Sequence, residues 1–297
     1  MTDRSRLTTE QRNPRSRGID RRSARQIVRI INREDRRCAA ALAKQQDRLA
    51  EAIEIVAEAF RNGGRLFYVG AGTSGRLGVL DAAECPPTYG VPRTMVQGII
   101  AGGRRALVRS VEGAEDRPAD GAAALARRGV TSRDVVCGIA ACGLTPFVHG
   151  AMRQARRLGA RTLFVTCAPE VAGAIQADVV INPVVGPEVV TGSTRMKAGT
   201  VTKLALNTLT TGAMIRIGKV YDNLMVDLRA TNAKLRDRGE RIVMTVTGLP
   251  RPGARRLLKS AGGAVKTAIL MHVSGLDRPA ANRRLRACAG LLRQAMA

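Results

Sequence analysis

The chain has 297 residues, 45% of them hydrophobic, and a formal net charge of +25. That length supplies one sizeable core with a smaller appendage. No apolar run approaches the roughly 18 residues of a membrane span, and the Arg-rich N-terminus lacks the apolar segment of a secretory signal, so a cytoplasmic protein without a membrane partner is expected.

The charge suggests nucleic acid until it is located. Residues 1–37 carry +7 and residues 234–297 carry +11, which leaves +7 for all of 38–233. Aromatic residues make up 2% of the chain and Trp is absent, so platforms for stacking bases are scarce. A solvated basic surface with no specific nucleic-acid partner is the expectation. Cys38, Cys85, Cys137, Cys142, Cys167 and Cys288 include no CxxC pair. The only histidines, His149 and His272, have no metal-ligand spacing. Reduced thiols and no metal site are expected.

In chain order, residues 1–34 read as an irregular arm ending in a short helix that carries Ile27, Val28, Ile30 and Ile31. The spacing of Leu49, Ile53, Val56, Ala57 and Phe60 predicts one long helix from about Asp35 to Arg61, stopped by Gly63-Gly64. Five short Val- and Ile-rich runs follow: Leu66–Val69, Met95–Ile100, Val135–Ala140, Thr162–Thr166 and Val179–Ile181. Separated by helical stretches, they predict an α/β fold with a parallel sheet covered on both faces. A helix is expected over Thr194–Ile217. From about Arg238, three short helices are expected, broken at Gly248-Leu249-Pro250 and at Gly275-Leu276-Asp277. The expected divisions are an arm at 1–34, the sheet domain at 35–237 and a helical subdomain at 238–297.

The sharpest local signal is Gly70-Ala71-Gly72-Thr73-Ser74-Gly75-Arg76, between the first strand and a helix. Glycines let the backbone approach a ligand, Thr73 and Ser74 add hydroxyls, and a helix N-terminus adds free amides, all of which suit a phosphate. No Gly-Lys-Ser/Thr follows, and no acidic residue closes the next strand, so neither a Walker loop nor a dinucleotide fingerprint is present. Spacing alone leaves a ligand-free turn equally open. A second turn, Ala141-Cys142-Gly143-Leu144-Thr145-Pro146, follows the third strand. Two such loops at strand carboxyl ends can face one crevice, which favours a sugar-phosphate site. Carboxylates near them are Glu84, beside a Pro86-Pro87 pair expected to stop its helix, and Glu112 and Glu115. Sequence alone does not choose among these acids. Cys85, with no histidine nearby in sequence, reads as a small buried residue.

Two long segments, Gly70 through Thr88 and Gly186 through Thr200, resemble the signatures of the N-acetylmuramic acid 6-phosphate etherases. Thr9-Glu10 with Arg12-Asn13-Pro14, Asn223-Leu224-Met225-Val226-Asp227 and Ala268-Ile269-Leu270-Met271 are similar to other parts of that family. The resemblance implies a three-layer sugar isomerase (SIS) sandwich with a five-stranded parallel sheet, a small three-helix, ubiquitin-associated-like (UBA-like) C-terminal module, and a homodimer. It implies removal of D-lactate from MurNAc 6-phosphate without metal or cofactor. By motif position it makes Glu84 the proton donor to the lactate oxygen and Glu115 the group that handles the C2 proton. Gly72, Thr73, Ser74, Cys142, Gly143 and Thr145 would hold the phosphate. The chain departs from the family's Ala-Ser-Gly-Arg-Thr-Pro at Cys142 and Leu144, and has Ala168 where an Asn is expected. The rival reading is a non-catalytic sugar-phosphate sensor, either like the longer glucokinase regulatory proteins or an SIS-type transcriptional regulator using the basic N-terminus.

Overall fold

A computed structural model describes residues 4–228 and 233–297. Two compact units emerge: one runs to Ala83 and takes up again over Thr94–Thr210, and the other combines Glu84–Arg93 with Thr211–Ala297. The N-terminal arm belongs to the first unit, and the second is discontinuous, where the sequence suggests a single boundary at 237/238.

The arm is a series of single 3-10 turns leading to α1 (Ala24–Asp35). Ser23 and Gln26 form a capping box that starts this helix. The single long helix expected over 35–61 is instead divided into α2 (Arg37–Ala43) and α3 (Gln46–Arg61). The break has a tertiary cause. Gln45 leaves helical geometry, with φ −107°, and its side-chain carbonyl accepts from Asn182 N at 3.0 Å, just past the last strand of the sheet.

That sheet comprises β1 (Leu66–Gly70), β2 (Val96–Ile100), β3 (Val135–Ile139), β4 (Arg161–Val165) and β5 (Val179–Ile181), all parallel, in the order β2-β1-β3-β4-β5. Every residue of β1 and β3 is buried, as the unbroken apolar runs require of strands covered on both faces. Between strands lie α4 (Gly72–Tyr89), α5 (Pro118–Arg127), α6 (Pro146–Arg157) and the short α7 (Pro169–Ala172). On one face, Phe67, Val69, Val136 and Phe164 pack with Leu125 of α5 and with Val148, Ala151 and Met152 of α6. On the other, Tyr68 donates to Asp81 of α4 at 3.0 Å. Asp81 also accepts from Asn207 at 2.8 Å and Thr210 at 3.0 Å, both on α8 (Lys197–Arg216). Burial pushes the Asp81 carboxyl above its ordinary range, opposed by these three donors. The result is a sheet between two helical layers.

Among its described residues the second unit holds a two-stranded ribbon, β6 (Val220–Tyr221) with β7 (Leu224–Met225), and five helices after it. These are α9 (Ala233–Thr247), α10 (Arg251–Ser260), α11 (Val265–Ser274), α12 (Arg278–Ala287) and α13 (Leu292–Met296). The expected breaks at 248–250 and 275–277 are present. Two more occur at Gly262-Gly263 and Ala289-Gly290, all four residues having positive φ, so five helices stand where three were expected. Their core joins Val243, Leu258, Val265, Ile269, Leu270 and Ala281. Among the described residues, no helix is long and apolar enough to cross a membrane.

Candidate active site

The chain order of the sheet reverses between β1 and β3, and the two Gly-rich loops leave the carboxyl ends of these two strands. The strands pair directly, with Gly70 opposite Ile139. In open α/β sheets this is where ligands bind. At the first loop, a Cβ on Gly75 would sit 2.8 Å from Gly70 O and 2.6 Å from Ile100 Cγ1. Glycine there lets α4 start against the end of β1. The bond from Gly75 N to Ala71 O, 3.1 Å, is the first of the helical series. The amides of Gly72, Thr73 and Ser74 therefore precede any helical partner and are available to an anion. Gly199, near the start of α8, packs on this loop: a Cβ there would come 3.4 Å from Thr73 Cγ2.

At the second loop, Gly143 has φ +73°, and a Cβ would strike Val171 Cγ2 at 2.4 Å, so only glycine fits. Thr145 is the N-cap of α6, with Pro146 in the first turn, and its hydroxyl caps no helix amide. His149, one turn into α6, holds the loop. Its Nε2 lies 2.7 Å from Gly143 O, and since a carbonyl only accepts, Nε2 carries the proton. Its ring stacks on Phe164 at 5.6 Å. Without metal-ligand spacing this histidine gave no signal in the sequence, yet it positions one wall of the crevice. Cys142 and Leu144 are half-buried and pack on an apolar cluster of Leu7, Ala168 and Val171. All three departures from the family pattern thus meet in one place.

Of the candidate acids, Glu115 lies with the first loop. It sits exposed on a single 3-10 turn, Ala114–Asp116. With Gly72, Arg76, Arg109 and Glu112 it lines a cleft of about 100 Å³. Glu112 accepts from Ser110 at 2.9 Å. Glu84 is not among the lining residues. It is exposed on α4, twelve residues beyond Gly72, which at 1.5 Å per residue is ~18 Å along the helix. The Pro pair does not stop α4. Pro86 and Pro87 lie inside its last turn, and the helix ends at Tyr89, before Gly90 at φ +66°. Cys85 is buried. A cavity of about 840 Å³ lies in the second unit, around Lys219, Asp227, Lys266 and Arg286; none of the Gly-rich loop residues lines it.

The segment 186–200 and the N-terminal arm are joined by a buried polar network. Glu188 accepts from the amides of Lys197 and Ala198, at 3.0 and 2.9 Å, and so caps α8. Burial still pushes its carboxyl above the ordinary range. Lys197, fully buried, donates from Nζ to Glu34 at 2.7 Å and to Val185 O at 3.0 Å. Glu34 also accepts from Asn13 at 2.9 Å and from Arg15 at 2.5 Å. Burial alone would raise the Glu34 carboxyl, but Arg15, Lys197 and Asn13 together bring it down to about 2. Asn13 bonds Pro187 O at 3.0 Å and Ser16 bonds Val189 O at 2.7 Å. These contacts explain why two motifs far apart in sequence occur together.

Residues 48–156 match the family described as glucokinase regulatory protein N-terminal SIS domain. The chain is 58% identical over 265 residues to an N-acetylmuramic acid 6-phosphate etherase of Salinibacter ruber, covering 89% of this chain and 85% of that one. It is 55% identical to that of Nostoc punctiforme, over 91% of this chain and 88% of that one. With that of Synechocystis it shares 53% identity over 100% of this chain and 97% of the relative. With such likeness running along the whole sequence, arm and helical tail included, the chain belongs to the N-acetylmuramic acid 6-phosphate etherase family.

Proposed function

We propose that this protein cleaves the D-lactyl ether of N-acetylmuramic acid 6-phosphate, giving N-acetylglucosamine 6-phosphate and D-lactate, within cell-wall amino-sugar recycling in the cytoplasm. The observation that carries this reading is the pair of hydroxyl-and-amide loops at the adjacent ends of β1 and β3, with a carboxylate in the cleft beside the first. The amides of Gly72, Thr73 and Ser74 with the hydroxyls of Thr73, Ser74 and Thr145 take the phosphate; Gly143, whose amide donates to Ala140 O at 2.9 Å, turns the second loop toward it, and Cys142 contributes by shaping that loop.

An ether oxygen is a poor leaving group, so the sugar first opens to its C1 aldehyde, which acidifies the C2 proton. Glu115 removes that proton. The C3–O bond then breaks, its electron pair stays on the lactate oxygen, and Glu84 protonates that oxygen. Water, deprotonated by Glu84, adds to C3 of the unsaturated aldehyde while C2 regains a proton from Glu115. One acid and one base suffice. In net terms the step is a carbon–oxygen elimination followed by hydration. Because Glu84 lies ~18 Å along α4 from the phosphate loop, we place the working pair in a homodimer, where a second copy lends its Glu84.

Purified protein incubated with MurNAc 6-phosphate should release equimolar D-lactate and GlcNAc 6-phosphate. In H₂¹⁸O the label should enter C3 of the sugar and not the lactate. Absence of lactate would favour the sensor reading, and label in lactate would overturn the elimination.

The packing of Cys142 gives a further expectation. Cys142→Ser should leave KM within about twofold and cost about 1 kcal/mol of stability, because it places a hydroxyl against Leu7, Ala168 and Val171. A KM lowered tenfold would mean that the side chain faces the phosphate.

A further inference from the structure

The proposed substrate carries two anionic groups, a phosphate and the carboxylate of its lactyl arm. The two loops account for the phosphate only. Glu115 works at C2, and the lactyl arm hangs from the neighbouring C3, so its carboxylate must lie a short ether chain away from the atom that Glu115 attacks. A donor that recognises it belongs in the cleft that Glu115 lines, and a cation suits a carboxylate best. That cleft, about 100 Å³, is far below the ~300–1,000 Å³ of a site that encloses a whole ligand. It suits one end of a substrate.

Arg76 and Arg109 both line it. They are not equivalent. Arg109 is exposed, whereas Arg76, half-buried on the first turns of α4, donates from Nε to Leu107 O at 3.1 Å. This bond fixes the plane of the guanidinium and uses one of its five N–H donors, leaving the terminal fork for a planar acceptor. Among the described residues Arg76 makes no ion pair. A half-buried guanidinium that makes no ion pair with Glu112 or Glu115 of the same cleft, and is held rigid beside a base, is suited to a carboxylate that arrives with the ligand.

We infer that Arg76 is the lactyl-carboxylate recognition residue, which selects the ether-bearing sugar phosphate over the same sugar phosphate without its lactyl arm. This rests on the etherase reading above. The carboxylate is held alike before and during elimination, so the contribution falls on KM more than on kcat.

The test compares two ligands on the same variants. Arg76→Gln keeps a donor for Leu107 O and removes the charge, and Arg76→Lys keeps the charge and loses the fork. For Arg76→Gln, KM for MurNAc 6-phosphate should rise about 10- to 100-fold, the usual scale for a lost hydrogen bond to a charged group, with Arg76→Lys between it and wild type. Inhibition by GlcNAc 6-phosphate, which has the phosphate and no carboxylate, should stay unchanged in both. Equal weakening of the two ligands would assign Arg76 to the phosphate or to loop structure and overturn the inference. An unchanged KM for MurNAc 6-phosphate would overturn it as well. Failure of the wild-type protein to release lactate would instead sink the etherase reading itself, and the two failures are thereby distinguished.

Discussion

Glu115→Gln and Glu84→Gln should each lower lactate release by roughly 10²–10⁴-fold with the fold intact, the range for losing a general acid or base. Both side chains are exposed, so neither substitution removes a packing contact from the core. The stronger expectation concerns their mixture. If each site takes Glu115 from one copy and Glu84 from another, a dimer pairing one variant with the other contains one site with both carboxylates and one with neither. Random pairing makes half of the dimers mixed, so unfolding and refolding an equal mixture of the two inactive variants should restore about a quarter of wild-type activity. If one copy supplied both carboxylates, every site would lack one of them and the mixture would stay inactive. The ~18 Å of helix between Gly72 and Glu84 favours recovery. A refolded mixture as inactive as its components would place both acids in a single copy.

Much of this architecture is legible in the sequence because its signals are local. The runs that form β1 and β3 are short, apolar and buried on both faces, β5 is a short run of Val and Ile, and the strand ends fall within about one residue of the apolar boundaries. The break between α2 and α3 is not local. It depends on Gln45 meeting Asn182, 137 residues later, and helical periodicity on either side conceals it. The division of the C-terminal helices is different in kind. Gly262-Gly263, both at positive φ, is a local signal like the Gly63-Gly64 pair that follows α3, but the helical periodicity on both of its flanks masks it.

The site shows the same contrast. The loops are legible because glycine, hydroxyl and helix start follow one another along the chain. The support beneath them is not, since His149 reaches Gly143 O and Asn13 reaches Pro187 O only through the fold. Cys142, Leu144 and Ala168, taken singly, read as losses of polar function. Together they form one apolar contact with Leu7 and Val171 behind the second loop. The basic ends are likewise partly structural: Arg15 serves Glu34, and Arg251 and Arg255 converge on Glu240. Part of the charge that suggests nucleic acid is spent on ion pairs within the chain.

Lys197→Met should destabilise the first unit by about 3–5 kcal/mol, the cost of removing one partner from a buried ion pair, and lower its Tm by roughly 10 °C. The ammonium is fully buried, and its loss strips Glu34 of its shortest contact to a lysine while leaving the carboxylate in place. The pair also has a pH signature. The Glu34 carboxyl titrates at about 2 in the folded chain against an ordinary value of 4.5. A carboxyl depressed on folding adds stability that is fully present above about 4.5 and disappears as pH falls toward 2, here about 3 kcal/mol. Glu188, raised by burial, acts in the opposite sense, so the comparison must be between variants rather than along one curve. Glu34→Gln removes the titrating group. The stability gap between wild type and Glu34→Gln, measured by denaturant unfolding, should therefore be widest near neutral pH and shrink below about pH 4.5. The double variant Glu34→Gln with Lys197→Met should recover part of the loss of Lys197→Met alone, because the buried carboxylate, left with Arg15 as its charged partner, is then removed as well. A Lys197→Met protein that unfolds at the wild-type midpoint, or a gap that stays constant through the acid range, would show that the network which ties the arm to residues 186–200 is not what holds them together.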